Sequence, residues 1–221
     1  MSYKTNILEI SSLTHDVKKY KLEKPQGYSF EPGQATEVSI NLEGWVDEKR
    51  PFTFTSLPED KHLEFVIKSY PSHHGVTERI SEVRPGDQLI LDDPWGAISY
   101  QGKGIFIAGG AGITPFISIF RMLESQGKVK GNQLFFANKT SKDVILESYF
   151  RGLLGENFIS ILDQEEKKGH EHGRIDKEFL KKHVKDFSQH FYLCGPDPMV
   201  KSLKETLEEL GAKTDEVVFE K

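Results

Sequence analysis

The sequence is poor in the residues that would place it in several common functional classes. Its 221 residues include one cysteine, Cys194, which excludes an internal disulfide and an iron–sulfur cluster held by cysteines of this chain alone. Basic residues are not in excess, because the formal net charge is -5, and this balance argues against a dedicated nucleic-acid-binding protein. No apolar run approaches the ~18 residues that a membrane helix requires.

Targeting and metal-binding signals are also missing. Residues 1–4 lack the apolar stretch of a signal peptide, so we expect a cytoplasmic protein. The histidines at 73–74 and the segment His170-Glu171-His172 are interpreted as exposed loops, and no metal site is predicted. The length suits one large domain or two domains of roughly 100–150 residues each, and we expect a monomer.

The first half of the chain is typical of antiparallel β-structure. Short alternating apolar runs are separated by turn signals such as Glu31-Pro32-Gly33, and one helical stretch, Gly75–Val83, interrupts them. This spacing predicts a small barrel or sandwich. The predicted strands are Asn6–Ser11, Val17–Glu23, Thr36–Asn41, Phe52–Ser56, Leu63–Ser69 and Gln88–Asp92.

After residue 103 strands alternate with helices, which predicts a parallel five-stranded sheet with right-handed crossovers. We therefore expect two domains, residues 1–101 and 102–221, with an irregular surface loop at Asp163–Arg174. The predicted strands are Gly104–Ala108, Gln133–Ala137, Phe158–Leu162, His190–Leu193 and Glu216–Phe219. The predicted helices are Pro115–Ser125, Val144–Leu154, one from Asp176 and one from Pro198.

Two glycine turns in the second half follow strands and precede helices. In the segment Gly104–Pro115, glycines allow close approach to a pyrophosphate, and the helix start offers unpaired N–H groups. A proline stands where the dinucleotide fingerprint has its third glycine, so a plain strand–helix turn is the alternative. The segment Cys194–Met199 repeats the arrangement, and both turns lie where ligands bind in open parallel sheets. A buried structural cysteine is the alternative for Cys194.

A third motif, Arg50-Pro51-Phe52-Thr53, lies in the first half. Alternation places Arg50 and Phe52 on one face of a strand and Thr53 on the other. An arginine binds phosphate well and an aromatic ring packs on a planar cofactor, although an ordinary amphipathic strand is the alternative. In this order, the three motifs resemble those of the ferredoxin–NADP reductase superfamily of flavin oxidoreductases, and the resemblance covers nearly the whole chain.

The resemblance implies a flavin-binding barrel followed by a Rossmann-like nicotinamide-binding domain, with FAD and NAD(P)H as cofactors. Arg50 would pair with the FAD pyrophosphate, Phe52 would stack on the isoalloxazine ring, and Thr53 would lie near flavin N5. Pro51, between them, is assigned to the cofactor-binding set. The family usually has tyrosine where Phe52 stands. The residues assigned to the phosphate and adenosine end of FAD are Lys68, Tyr70, Gly75, Val76 and Thr77, although His74 replaces a glycine of that motif.

For the nicotinamide, the resemblance implies contacts from both glycine turns. These residues are Gly110, Gly112, Thr114, Pro115, Cys194, Gly195, Pro196 and Met199. Cys194 would be the polar neighbour of the transferred hydride, so Thr53, Cys194 and Glu220 form the predicted catalytic set. The carboxyl end resembles a family ending whose final aromatic residue is missing here. Phe219 would therefore guard the flavin or leave it open, and a solvated carboxylate is the alternative for Glu220.

The implied activity is hydride transfer from NAD(P)H to FAD, followed by single-electron transfer to ferredoxin, flavodoxin or an oxygenase component. The alternative is a non-catalytic electron-transfer subunit or binding module. Residues 138–143 carry both charge signs and leave NADH and NADPH equally open. Four lysines near the first strands predict a basic patch for an acidic partner, with a solvated strand face as the alternative. They are Lys18, Lys19, Lys21 and Lys49.

Overall fold

The computed structural model describes residues 1–70, 75–96, 98–213 and, for the backbone only, 217–219. Contacts divide the chain into two units: residues 1–99 with 114–122, and residues 100–113 with 123–221. None of the described helices is both long and apolar enough to cross a membrane.

The first unit contains six antiparallel strands in the order β4-β3-β6-β1-β2-β5. A bridge between Phe54 and Phe65 brings the two edges together, so the sheet is a nearly closed barrel as predicted. The strands are β1 (Tyr3–Ser12), β2 (Val17–Glu23), β3 (Ala35–Ile40), β4 (Arg50–Thr53), β5 (His62–Lys68) and β6 (Gln88–Leu91).

The barrel forms because alternate apolar side chains of every strand share one interior. Its core includes Tyr20, Phe54 and Phe65, and the short helix α1 (Val76–Ile80) contributes two buried side chains. The Tyr20 hydroxyl donates to the carbonyl of Ile80 at 3.1 Å, which satisfies its polar end inside the core.

The helix α2 (Thr114–Ser125) contributes to the first unit through residues 114–122. The Arg121 guanidinium donates to the carbonyl of Thr55 at 2.5 Å and forms an ion pair with Glu64 at 2.8 Å. The amide of Gly33 donates to Ser118 Oγ at 3.1 Å. The contacts group residues 114–122 of this helix with the barrel. They do not test the domain boundary expected at residue 101, which stays a prediction.

The second unit is a parallel sheet in the order β10-β9-β8-β7-β11-β12. Every residue of the central strand β7 is buried, as expected for a strand covered on both faces. The strands are β7 (Gly104–Gly109), β8 (Gln133–Asn138), β9 (Phe158–Leu162), β10 (Glu171–His172), β11 (His190–Cys194) and β12 (Val217–Phe219). The helices that follow α2 are α3 (Glu147–Leu154), α4 (Lys177–His183) and α5 (Asp197–Glu209).

The five predicted parallel strands are confirmed, and the loop prediction at Asp163–Arg174 needs a correction. A two-residue strand, Glu171–His172, pairs with Ile161–Leu162 and adds a short edge to the sheet. The interpretation of His170 as an exposed residue is wrong, because its side chain is only 5% exposed. Its Nδ1 lies 2.9 Å from Ser160 Oγ on β9, a contact between residues that local sequence patterns do not connect.

Candidate functional site

Strand β4 presents the first candidate motif with the predicted alternation. Arg50 is exposed, Phe52 is half-buried against the barrel core, and Thr53 is buried. The Arg50 guanidinium donates to its neighbour's carbonyl, Lys49 O, at 2.6 Å, and no carboxylate of the described residues pairs with it. An exposed arginine next to a partly exposed ring fits a phosphate and a flat cofactor.

The predicted phosphate and adenosine residues follow β5 and begin α1. Lys68 Nζ is already paired with Asp16 at 2.9 Å, and Tyr70 is exposed. Burial raises the pKa of Asp16, but the hydrogen bonds from Lys68 and Thr14 outweigh it and leave the pKa below its usual value. Thr77 and Ser69 line a cavity of about 190 Å³ beside the β1–β2 turn.

At the start of α1, Gly75 is the N-cap residue and no described side chain caps the helix. The N–H groups at this helix start are therefore not used by a capping side chain. The phosphate contacts predicted for Gly75, Val76 and Thr77 stay a prediction. His74 lies outside the described residues.

The two glycine turns of the second unit meet backbone against backbone. After β7 the chain makes a short 3-10 turn, Gly110–Ile113, in which Gly110 has a φ of +53°, a conformation that favours glycine. A Cβ placed on Gly112 would lie 2.3 Å from the carbonyl oxygen of Cys194. A Cβ on Gly109 would lie 2.6 Å from Met199 Sδ. A side chain is therefore excluded at Gly112 by backbone, whereas at Gly109 it would have to displace the Met199 side chain.

Both turns lie at the carboxyl ends of adjacent parallel strands. Cys194 pairs with Ala108 at the end of β11, and its side chain is buried. Gly195 closes the contact, since a Cβ there would approach the amide of Gly109 to 3.0 Å. Pro196 lies at the N-cap of α5 and accepts a hydrogen bond from the amide of Met199. This is the arrangement in which open α/β sheets bind dinucleotides.

The remaining predicted nucleotide residues lie at the chain's second helix and at its end. Thr114 and Pro115 begin α2, where a proline loses no helical hydrogen bond. The backbone of Phe219 pairs with Leu193, one residue before the cysteine turn. The prediction for Glu220 lies outside the described residues.

Two carboxylates accept hydrogen bonds from the segment that follows β8. Asp143 accepts from the amide and the hydroxyl of Thr140 at 2.8 and 2.7 Å, which forms a capping box. Glu165 accepts from the amide of Ser141 at 2.6 Å, and this hydrogen bond lowers the Glu165 pKa. Lys167 donates to Ser141 Oγ at 2.8 Å.

Two residues beside the site were given no individual role by the sequence analysis. Tyr192 precedes the cysteine turn, and its hydroxyl accepts from the amides of Gln101 and Gly102 at 2.9 and 3.0 Å. Burial raises its pKa. Asn138 ends β8, and neither polar atom of its buried side chain has a partner among the described residues. A buried polar residue ending an apolar strand was the one available signal for Asn138.

Two of the four predicted lysines pair with carboxylates, and a third donates to a backbone carbonyl. Lys18 donates to the carbonyl of Ser81, Lys19 lies 3.7 Å from Glu64, and Lys49 pairs with Asp92 at 2.6 Å. These contacts favour the alternative of a solvated strand face.

Family models match both halves of the chain. A model described as an FAD-binding domain matches residues 2–97, and one described as an oxidoreductase NAD-binding domain matches residues 106–205. The NADH–cytochrome b5 reductase 1 of Arabidopsis thaliana is 33% identical over 222 residues, covering 90% of this chain and 76% of the relative. The reductase component of propane 2-monooxygenase from Rhodococcus jostii is 28% identical over 236 residues. That alignment covers 99% of this chain but 63% of the relative, so the chain spans less than two-thirds of its length.

Solved structures share the fold. A ferredoxin NADP+ reductase from Neisseria gonorrhoeae, solved with FAD and NADP, has a TM-score of 0.84 at 21% identity. The match covers 99% of this chain and 97% of that chain. The FAD/NAD-binding domain of a nitric oxide dioxygenase from Vibrio cholerae has a TM-score of 0.86 at 19% identity, with 98% of this chain and 96% of that one covered.

Proposed function

The chain belongs to the ferredoxin–NADP reductase superfamily, and we propose that it is an NAD(P)H-dependent flavoprotein reductase that passes electrons singly to a protein acceptor. FAD and the nicotinamide supply the redox chemistry when bound, since a flavin takes up an electron pair and releases electrons one at a time. The protein binds both cofactors, orients them and sets their electrostatic surroundings.

The contact between the two glycine turns carries the proposal for the nicotinamide. Backbone atoms of the second turn leave no room for a side chain at Gly112, and the helix that follows begins with N–H groups that would bind a pyrophosphate. Cys194 ends the neighbouring strand, and we assign it the position beside the reacting end of the nicotinamide. A purely structural turn would not need two chain segments free of side chains at adjacent strand ends.

Strand β4 supports the proposal for FAD. Arg50 would bind the pyrophosphate as a bidentate donor, Phe52 would pack on the flavin ring, and Thr53 would offer its hydroxyl near N5. Phenylalanine supplies the same flat surface as tyrosine without a hydroxyl, so the ring is held by packing alone.

The acceptor is proposed to be a one-electron carrier such as a ferredoxin, a flavodoxin or an oxygenase component. The relatives named above are the reductase component of a propane 2-monooxygenase and an NADH–cytochrome b5 reductase, and both names point to a protein acceptor. These 221 residues contain one cysteine, so no cluster held by cysteines of this stretch can carry electrons onward from the flavin.

Reduction of acceptors by the purified, FAD-loaded protein tests the proposal. NADH or NADPH should bleach the flavin absorbance under anaerobic conditions, and ferricyanide and a ferredoxin should then reoxidise it. A control without FAD separates flavin-mediated transfer from direct reaction. If FAD binds but neither nicotinamide bleaches it, the protein is the non-catalytic subunit of the alternative proposal.

That alternative gains its support from the relatives' greater length. Since the chain spans 63% of the propane 2-monooxygenase reductase, a further component could complete the electron path. Mixing experiments separate the two proposals, because a complete reductase reduces its acceptor without any added protein.

A further inference from the structure

The loop between β9 and β10 is docked along the segment that follows β8. The amides of Asp163 and Gln164 donate to the carbonyls of Asn138 and Lys139 at 3.1 and 2.9 Å. These two bonds place the next residue, Glu165, beside Ser141, whose amide donates to its carboxylate at 2.6 Å.

The other end of this loop is held to the sheet as well. His170 Nδ1 lies 2.9 Å from Ser160 Oγ, and Arg151 donates to the carbonyl of Gly169 at 2.7 Å. The amide of Gly173 donates to the carbonyl of Leu162 at 2.9 Å. With both ends fixed, the Glu165 carboxylate has a defined position.

The backbone amides of Thr140 and Ser141, which could donate to a phosphate group at this edge of the sheet, are already used. The Asp143 carboxylate accepts hydrogen bonds from the amide and the hydroxyl of Thr140, and the Glu165 carboxylate accepts one from the amide of Ser141. A phosphate would have to displace a carboxylate and remain next to it as a like charge. A ribose hydroxyl instead needs only an acceptor, which either carboxylate supplies.

Three cations also lie near this segment. Lys139 and Lys142 are exposed and therefore well solvated, whereas Lys167 Nζ is committed to Ser141 Oγ at 2.8 Å. Exposed lysines attract phosphate through charge that solvent screens, whereas a backbone amide binds it from a fixed direction. Because Glu165 occupies the Ser141 amide and adds a negative charge beside it, the site favours a ribose hydroxyl over a phosphate.

We propose that Glu165 is a specificity-determining residue that favours NADH over NADPH by occupying the donor a 2′-phosphate would need. The proposal rests on the proposed function, in which the nucleotide runs from the turn after β7 to the end of β8. It assigns the selectivity to a residue that is distant in sequence from both turns.

The test compares Glu165→Gln with Glu166→Gln in the FAD-loaded protein. Glu166 is the exposed neighbour, so its variant removes the same charge without touching Ser141. Calorimetry would measure binding of adenosine 5′-monophosphate and adenosine 2′,5′-bisphosphate, which differ only in the 2′-phosphate. In the unaltered protein the monophosphate should bind at least about tenfold more tightly, and Glu165→Gln should reduce this ratio by about tenfold.

The ratio of kcat/KM for NADH to that for NADPH should fall in parallel in Glu165→Gln and stay unchanged in Glu166→Gln. An equal ratio in both variants, or a preference of the unaltered protein for the bisphosphate, overturns the inference. If neither nicotinamide bleaches the flavin and neither nucleotide binds, the proposed function itself fails. Flavin bleaching with a ratio indifferent to residue 165 removes the specificity proposal alone.

Discussion

Replacement of Gly112 by alanine is the sharpest test of the nucleotide-binding turns. The added Cβ would lie 2.3 Å from Cys194 O, 2.5 Å from Cys194 C and 2.6 Å from Gly195 N, whereas ordinary contacts begin at 3.4 Å. All three atoms belong to backbone, and β11 is tied to β7 by ladder pairs up to Cys194. The turns must therefore separate by about 1 Å, because no side chain can rotate away.

The expected loss of stability follows from this geometry. Overpacking a rigid interior costs about 1–3 kcal/mol, and backbone on both sides puts Gly112→Ala at about 3 kcal/mol. A displacement of ~1 Å in a reacting pair lowers rates by about 100-fold. The variant should therefore lose nicotinamide affinity and turnover while its barrel still retains FAD.

Gly152→Ala is the matched control. Gly152 lies within α3, has no positive φ and has nothing within 4 Å of the added Cβ. Alanine there should raise the free energy of unfolding by about 0.5–1 kcal/mol through helix propensity. Urea unfolding and titration with adenosine 5′-monophosphate measure both variants. If Gly112→Ala unfolds at the same urea concentration as the unaltered protein and binds the nucleotide equally well, the packing argument is refuted.

Three further predictions concern other parts of the chain. Arg50→Gln should weaken FAD binding by about tenfold, measured by flavin fluorescence, because a phosphate donor is lost, and equal weakening by Arg84→Gln would contradict this. Asn132→Ala should cost about 1–3 kcal/mol in urea unfolding, since its buried Oδ1 accepts from the amide of Gly104; an unchanged midpoint would disprove it. Burial lowers the His170 pKa from 6.5, so its contribution to stability is complete above that pH and is lost as pH falls. His170→Gln should flatten the decline of Tm between pH 7.5 and about 5.5, and an unaltered slope would exclude this role.

Much of the fold was predictable because hydrophobic periodicity changes near residue 103. Strand Val17–Glu23 and strand Phe158–Leu162 agree with the structure to the residue, since each has sharp polar or turn boundaries. The helix predicted from Val144 begins instead at Glu147, because Leu146 adopts a φ of +53° and Val144 is extended. Tertiary burial of Val144 overrides the apolar pattern that favoured an earlier helix start.

The candidate site was predictable where function depends on the local chain path. Gly112 in the first turn and Gly195 in the second belong to sequence motifs that predict glycine turns, and the structure brings these turns into contact. Strand alternation predicted that Arg50 and Phe52 differ from Thr53 in exposure, although the predicted strand, Phe52–Ser56, begins two residues later than β4 and ends three residues later. Their contacts with cofactors stay predictions, as do those of the residues beginning α1.

Residues that act across long sequence distances gave no such signal. Glu165 and Ser141 are separated by 24 positions, and their hydrogen bond exists because two amides of the β9–β10 loop pair with carbonyls after β8. Local composition at 163–174 is charged and glycine-rich, which is equally typical of a mobile loop and of one fixed by backbone pairing. Since the His170 side chain is buried beside Ser160, the loop is fixed at its far end too. Discrimination at the ribose would then depend on the stability of this loop. His170→Gln should therefore weaken the preference for the nucleotide without a 2′-phosphate, although the variant retains the carboxylates of Asp143 and Glu165.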